Sequence, residues 1–175
     1  MSLLFATKTA APAYAMSGRL YKSTSGFIML SVPNAIVRGV FDTIDEPGVE
    51  LPPSGDSGQL NAHISVMRPE EIDGDKVTER GHSYHYTLGP LKELTPGGWA
   101  EMSKAWIIQV KSPELEKLRK SYGLTKLPHD GDYPFHITVA VRRKNVLNPG
   151  DVAKMATIVE SVLPAPWVFA HIECY

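Results

Sequence analysis

Two histidines in this 175-residue chain each sit two positions ahead of a hydroxyl residue, in matching apolar surroundings: His63-Ile64-Ser65-Val66 and His136-Ile137-Thr138-Val139. Both tetrads fall in runs that read as β-strands, Leu60 to Met67 and Pro134 to Arg142. Side chains alternate across a strand, so His63 and Ser65 share one face while Ile64 and Val66 take the other. The same arithmetic sets His136 and Thr138 against Ile137, Val139 and Val141. Each strand can therefore bury its β-branched face and leave an imidazole and a hydroxyl on the opposite side. An imidazole titrates near pH ~6.5, so it can serve as either base or acid at neutral pH. A neutral histidine would take a proton from an attacking hydroxyl or water, and a protonated one would deliver a proton to the leaving oxygen. Each role is worth roughly 10²–10⁴ in rate. The hydroxyls of Ser65 and Thr138 would hold the non-bridging oxygens of a phosphodiester as charge builds on them. This chemistry needs no metal and no cofactor.

The elements that must present these residues recur in order. Gly26 to Val32 reads as a buried strand. Asn34 follows as the cap of a helix with Ile36, Val37, Val40, Phe41 and Ile44 on one side. Asp45 to Gly58, rich in Pro, Gly, Asp and Ser, is a long loop of the kind that often rims a site. The His63 strand comes next, and His82 to Leu88 reads as another strand. Lys104 to Val110 then opens a second round. Ser112-Pro113-Glu114 starts a helix by cap, proline and early acid, with Leu115, Leu118 and Tyr122 inward and Gly123 as its stop. Leu127 to Asp132 is a loop leading to the His136 strand. A third helix is expected from Asn148-Pro149, and a closing strand over Trp167 to Tyr175. The predicted fold is α+β: two pseudo-symmetric lobes, about residues 26–89 and 104–175, of antiparallel sheet with helices outside and a central cleft. Residues 1–18 read as a flexible N-terminal arm and 19–175 as a single domain.

A third H-x-T, His85-Tyr86-Thr87, lacks an intervening helix and has tyrosine at the apolar position, so a structural or cleft-edge role is expected for His85. Tyr84, Tyr86 and Tyr133 are candidates for stacking on a base. Arg68 and Arg142 follow the two motif strands and are candidates for drawing a phosphate, although solvated strand ends are the ordinary expectation there. His171 shares a face with Trp167, Phe169 and Glu173 and is a candidate cleft residue. His82 and His85 point to opposite faces of a strand, and His129 lies in a polar loop, so no metal site is expected.

The two H-h-[S/T]-h motifs (h for hydrophobic), one per lobe, resemble those of the 2H phosphoesterase superfamily. The resemblance spans roughly Gly26 to Tyr175, and Tyr133-Pro134-Phe135-His136-Ile137-Thr138-Val139 is its most typical stretch. Serine in the first motif replaces the commoner threonine. The superfamily includes cyclic phosphodiesterases, enzymes acting on RNA ends with 2′,3′-cyclic phosphates, 2′-5′ RNA ligases and viral enzymes that degrade signalling oligonucleotides. Its members are typically metal-independent, and the resemblance implies the same here.

Composition narrows the substrate. A formal net charge of -1 argues against a protein that tracks long nucleic acid, whose affinity rests on phosphate neutralisation. The expected partner is a small nucleotide: a cyclic phosphate, a cyclic di- or oligonucleotide, or a short 2′-5′ or 3′-5′ oligomer. RNA-end processing or ligation at 2′,3′-cyclic phosphates is the alternative reaction, and a nucleotide-binding module without turnover is the alternative class. The one cysteine excludes an internal disulfide framework. No apolar run has the length of a membrane span, and a cytoplasmic location is expected.

Overall fold

The computed structural model describes residues 15–53, 59–97, 101–128, 131 and 133–144. The expected third helix, the closing strand with His171, and His129 lie outside the described residues. Among the described residues seven strands and two α-helices follow in the order β1 (Met16–Lys22), β2 (Ile28–Ser31), α1 (Asn34–Phe41), β3 (Val49–Glu50), β4 (His63–Met67), β5 (Ser83–Leu94), β6 (Met102–Lys111), α2 (Pro113–Ser121) and β7 (His136–Arg143). All pairings are antiparallel, in the sheet order β3-β7-β6-β5-β1-β2-β4. The expected α+β class is what forms. Among the described residues no helix is long and apolar enough to cross a membrane.

The internal repeat is visible as β2-α1-β4 and β6-α2-β7, in which each histidine strand returns antiparallel to the strand before its helix. Ile28, Leu30, Ile64, Val66, Ile108, Ile137 and Val139 fill one core beneath these strands. The helices exchange halves: α1 packs on β7, and α2 packs on β4 and β5. Four strands separate β4 from β7 in the hydrogen-bonded order, yet these two strands come into contact. The sheet is therefore curled, and its two repeats face each other.

Strand β1 makes the joint, and it takes residues 16–18 out of the expected N-terminal arm and into the sheet. Met16 to Arg19 pair with β5, while Leu20 to Lys22 pair with β2. The chain can change partners because Gly18 has no side chain: a Cβ there would stand 2.0 Å from the Ser31 carbonyl oxygen. Gly18 and Ser17 carry no apolar signal, which is why periodicity misses this strand. Strand β5 likewise runs beyond the expected end at Leu88. Gly89 and Pro90 fall inside it, where the sheet absorbs them as a register shift between Leu88 and Leu91. Such an irregularity is where a strand proline is tolerated.

Helix α2 forms as its signals dictate. Ser112 Oγ accepts the Leu115 N–H at 3.2 Å and donates to the His85 carbonyl at 2.6 Å. Gly123, at φ 73°, ends the helix in a Schellman turn, with Leu124 N–H on the Arg119 carbonyl and Gly123 N–H on that of Lys120. Asn34 behaves differently from expectation. Pro33 occupies the cap position of α1, and the Asn34 side chain instead bonds the Leu60 carbonyl at 2.7 Å and the Ala62 N–H at 2.9 Å. It fixes the chain just ahead of His63.

One buried charge ties the halves together. Arg119, on the inner face of α2, is fully buried, and its guanidinium is bonded all round. It makes paired contacts to Glu71 at 2.7 and 3.0 Å and also reaches the Val66 carbonyl at 2.6 Å. The remaining bonds go to the carbonyls of Thr125 at 2.9 Å and Leu127 at 3.1 Å, and to Thr125 Oγ1 at 3.3 Å. Burial alone would raise the Glu71 carboxyl. The Arg119 hydrogen bonds, the Arg68 N–H and the charges of both guanidinium groups outweigh it and hold the carboxyl below its usual range.

Breaking this pair leaves an uncompensated buried charge, so Arg119→Met should lower unfolding free energy by about 3–5 kcal/mol in denaturant titration. A depressed folded-state carboxyl gives stability that is complete above the unfolded value of about 4.3 and is lost as pH falls through the folded value. Stability of the wild type should therefore fall below about pH 4, and Glu71→Gln should flatten that dependence. Tyr86 provides an opposite case. It is 1% exposed, and its hydroxyl has no hydrogen-bond partner among the described residues. Tyr86→Phe removes that unsatisfied group and should raise stability by about 1 kcal/mol in the same titration.

Candidate active site

Both motif strands start on their histidine, and both show the same burial sequence over five residues, half-buried and buried in alternation, then a second buried residue. The break in alternation has a common cause. Met29 and Ile28 pair with Ser65 and Met67, which leaves Val66 as an extra residue; Ile107 and Trp106 pair with Thr138 and Ala140, which leaves Val139 as an extra residue. A bulge thus follows the hydroxyl residue in each half. It turns the strand so that Met67 and Ala140 go inward instead of continuing the exposed face. Arg119 bonds the carbonyl of Val66, the extra residue of the first bulge.

The imidazoles are oriented by the same device. His63 Nδ1 lies 2.7 Å from the Asn61 carbonyl oxygen, and His136 Nδ1 lies 3.0 Å from the Pro134 carbonyl oxygen, each two residues back in the chain. A carbonyl only accepts, so each Nδ1 carries a proton and donates it. Proton exchange then takes place at Nε2 of both rings.

His63, Ser65, His136 and Thr138 line one cavity of about 350 Å³. Met29 and Ile107, the cross-strand partners of the two hydroxyl residues, flank them. Phe27 and Arg68 form the wall beside β4. Leu94 at the end of β5, Pro96 and Gly97 from the connection to β6, and Ala105 form another wall, and Pro128 and Tyr133 close the side beside β7. Tyr133 is 42% exposed, in keeping with a rim position. Arg68 is the one lysine or arginine among the described lining residues, and no carboxylate is among them.

Other sequence candidates are not in this group. Tyr86 is in the core, where burial raises its phenol, so the expectation of a base-stacking role for it does not hold. Tyr84 packs half-buried against the same core, and its phenol is raised by burial and by the charges of Glu79, Tyr122 and Glu114. It does not line the cavity. Arg142 pairs with Glu46 at 3.2 Å beyond the cavity lining. His85 is exposed, with its backbone N–H and Nδ1 at 2.7 and 3.2 Å from the Glu114 carboxylate. That backbone N–H, with the ring, holds Glu114 below its usual range and fastens β5 to the start of α2. The described part of the Asp45 to Gly58 loop lies against the far end of β7, where Val49 and Glu50 pair with Arg142 and Val141. Sequence reasoning missed the apolar lining. Met29 and Ile107 are recognisable only once the pairings of β2 with β4 and of β6 with β7 are known.

The arrangement can place two proton-exchanging nitrogens and two hydroxyls around one small anion. It also fixes a measurable tautomer. Long-range ¹H–¹⁵N spectra of the deprotonated rings should show His63 and His136 as Nδ1–H, the minor form of free histidine. An Nε2–H pattern for either would contradict the geometry.

Comparison with known proteins gives one family. Residues 27–147 match the family model described as 2H-SAK, Swiss Army Knife, 2H phosphoesterase domain. No curated protein and no solved structure matches the chain. The matched segment covers well over half of the sequence and contains both histidine strands, so the chain belongs to the 2H phosphoesterase family.

Proposed function

We propose that the protein hydrolyses a phosphodiester in a small nucleotide, with His63 and His136 as the acid and base pair. The reading rests on one observation: two strands of matched register and matched imidazole tautomer line a single cavity with both histidines and both hydroxyls. In the forward reaction one Nε2 takes the proton of the attacking hydroxyl or water as the new P–O bond forms. The other Nε2 delivers its proton to the departing oxygen as the old bond breaks. Ser65 and Thr138 donate to the non-bridging oxygens, where they act most strongly as the phosphorus becomes five-coordinate. The Nδ1–H bonds to the Asn61 and Pro134 carbonyls stabilise each ring as it becomes cationic.

Substrate size follows from the cavity. A volume of about 350 Å³ sits at the small end of ligand pockets and suits a mononucleotide or part of a dinucleotide. Its mainly apolar walls suit a base and ribose, and the net charge of -1 gives no support for a long basic track. Metal-free chemistry is part of the proposal, since the pair supplies both proton transfers.

The test is turnover of 2′,3′-cyclic nucleotides, cyclic dinucleotides and 2′-5′ oligoadenylates in excess EDTA. Activity should persist in EDTA. It should fall by about 10²–10⁴ in kcat for His63→Ala and for His136→Ala. Ser65→Ala and Thr138→Val should each cost about 10²–10³ in kcat. Full activity in either histidine variant would overturn the assignment. Binding without turnover of any of these compounds would make the protein a nucleotide-binding module instead.

A further inference from the structure

Arg68 is the cation among the described lining residues, and its position sets it apart from the four motif side chains. It lies just past the end of β4, three residues beyond Ser65 and on the far side of the bulge at Val66. Its backbone N–H donates to Glu71 Oε2 at 2.9 Å, the carboxylate that Arg119 grips from the buried side. The base of the residue is thus built into the rigid joint between the halves. The guanidinium lies 6.0 Å from the centre of the Phe27 ring and 3.1 Å from Glu70 Oε1. Glu70 is 60% exposed, so that pair contributes little and can yield to a stronger anion. A guanidinium meets a phosphate with two parallel donors, a geometry suited to a dianion.

We infer that Arg68 forms a subsite for a second phosphate, so that the substrate is a nucleotide carrying a terminal phosphate in addition to the scissile diester. The inference rests on the reading of the His63 and His136 cavity as the place of reaction. Ser65 and Thr138 attend the scissile group, and Arg68 receives the phosphate at the other end of the same nucleotide. Phe27 lies beside the guanidinium, no carboxylate is among the described lining residues, and the phosphate would displace the exposed Glu70 from Arg68.

The test compares ligands that differ only in that phosphate. Adenosine 3′-monophosphate and adenosine 3′,5′-bisphosphate are titrated into the full chain by calorimetry. Adenosine 2′,3′-cyclic phosphate is then assayed with and without a 5′-phosphate. The wild type should bind the bisphosphate at least tenfold more tightly and should show a similar preference in kcat/KM. Arg68→Gln should bring both ratios close to one, chiefly through KM, while Arg68→Lys should retain part of the preference. Equal affinity for the two ligands in the wild type overturns the subsite. So does an Arg68→Gln loss of the same size on both cyclic substrates, which would put Arg68 on the scissile phosphate. A binding preference that depends on Arg68 without any turnover supports the subsite and contradicts hydrolysis, so the two claims fail separately.

Discussion

The fully buried guanidinium of Arg119 ties the first histidine strand to the loop that leads into the second. It leaves a helix of the second repeat and bonds the carbonyl of Val66 in the first histidine strand, then the carbonyls of Thr125 and Leu127 in the loop before the second. Its partner Glu71 holds the N–H of Arg68. An isolated charge in such a place would be prohibitively costly, and a pair of this kind is often no more stable than a hydrocarbon replacement. What it adds is position. Carbonyls from two repeats converge on one planar group with fixed donor directions, which a cluster of leucines would not impose.

Around that joint, the two halves solve the same local problem in the same way. Each histidine begins a strand, donates from Nδ1 to the carbonyl two residues behind it, and is followed by a hydroxyl residue and then a bulge. The bulge matters because strict alternation would keep sending side chains toward the cavity. With it, Met67 and Ala140 return to the core directly after the motif. The halves then differ where specificity would lie: Phe27 and Arg68 stand beside β4, Pro128 and Tyr133 beside β7. The repeat supplies the proposed proton transfers, and the differences supply the walls.

Much of this is legible in the sequence. Alternation in H-I-S-V and H-I-T-V gives the faces of both strands, and Ser112-Pro113-Glu114 with Gly123 bounds α2. The misses have physical causes. Strand β1 has little apolar periodicity, because Gly18 is there to let one backbone pass close to another. Tyr86 looks like a stacking aromatic and is core, since a phenol is mostly hydrocarbon and one strand position decides its side of the sheet. Arg119 carries no sign of its role in the sequence; only the tertiary fold brings six oxygen atoms, two of them from the Glu71 carboxylate, around its guanidinium. Asn34 reads as a helix cap but serves the chain before His63, a contact 28 residues away.

The proposed reaction asks four side chains from two repeats to surround one phosphorus atom. A crystal structure with vanadate and a nucleoside diol tests this most directly, because vanadium adopts the five-coordinate geometry of the transition state. The account predicts vanadium between His63 Nε2 and His136 Nε2, with the hydroxyls of Ser65 and Thr138 on its equatorial oxygens. A vanadate ester held by only one of the histidines, or bound elsewhere on the protein, would contradict it.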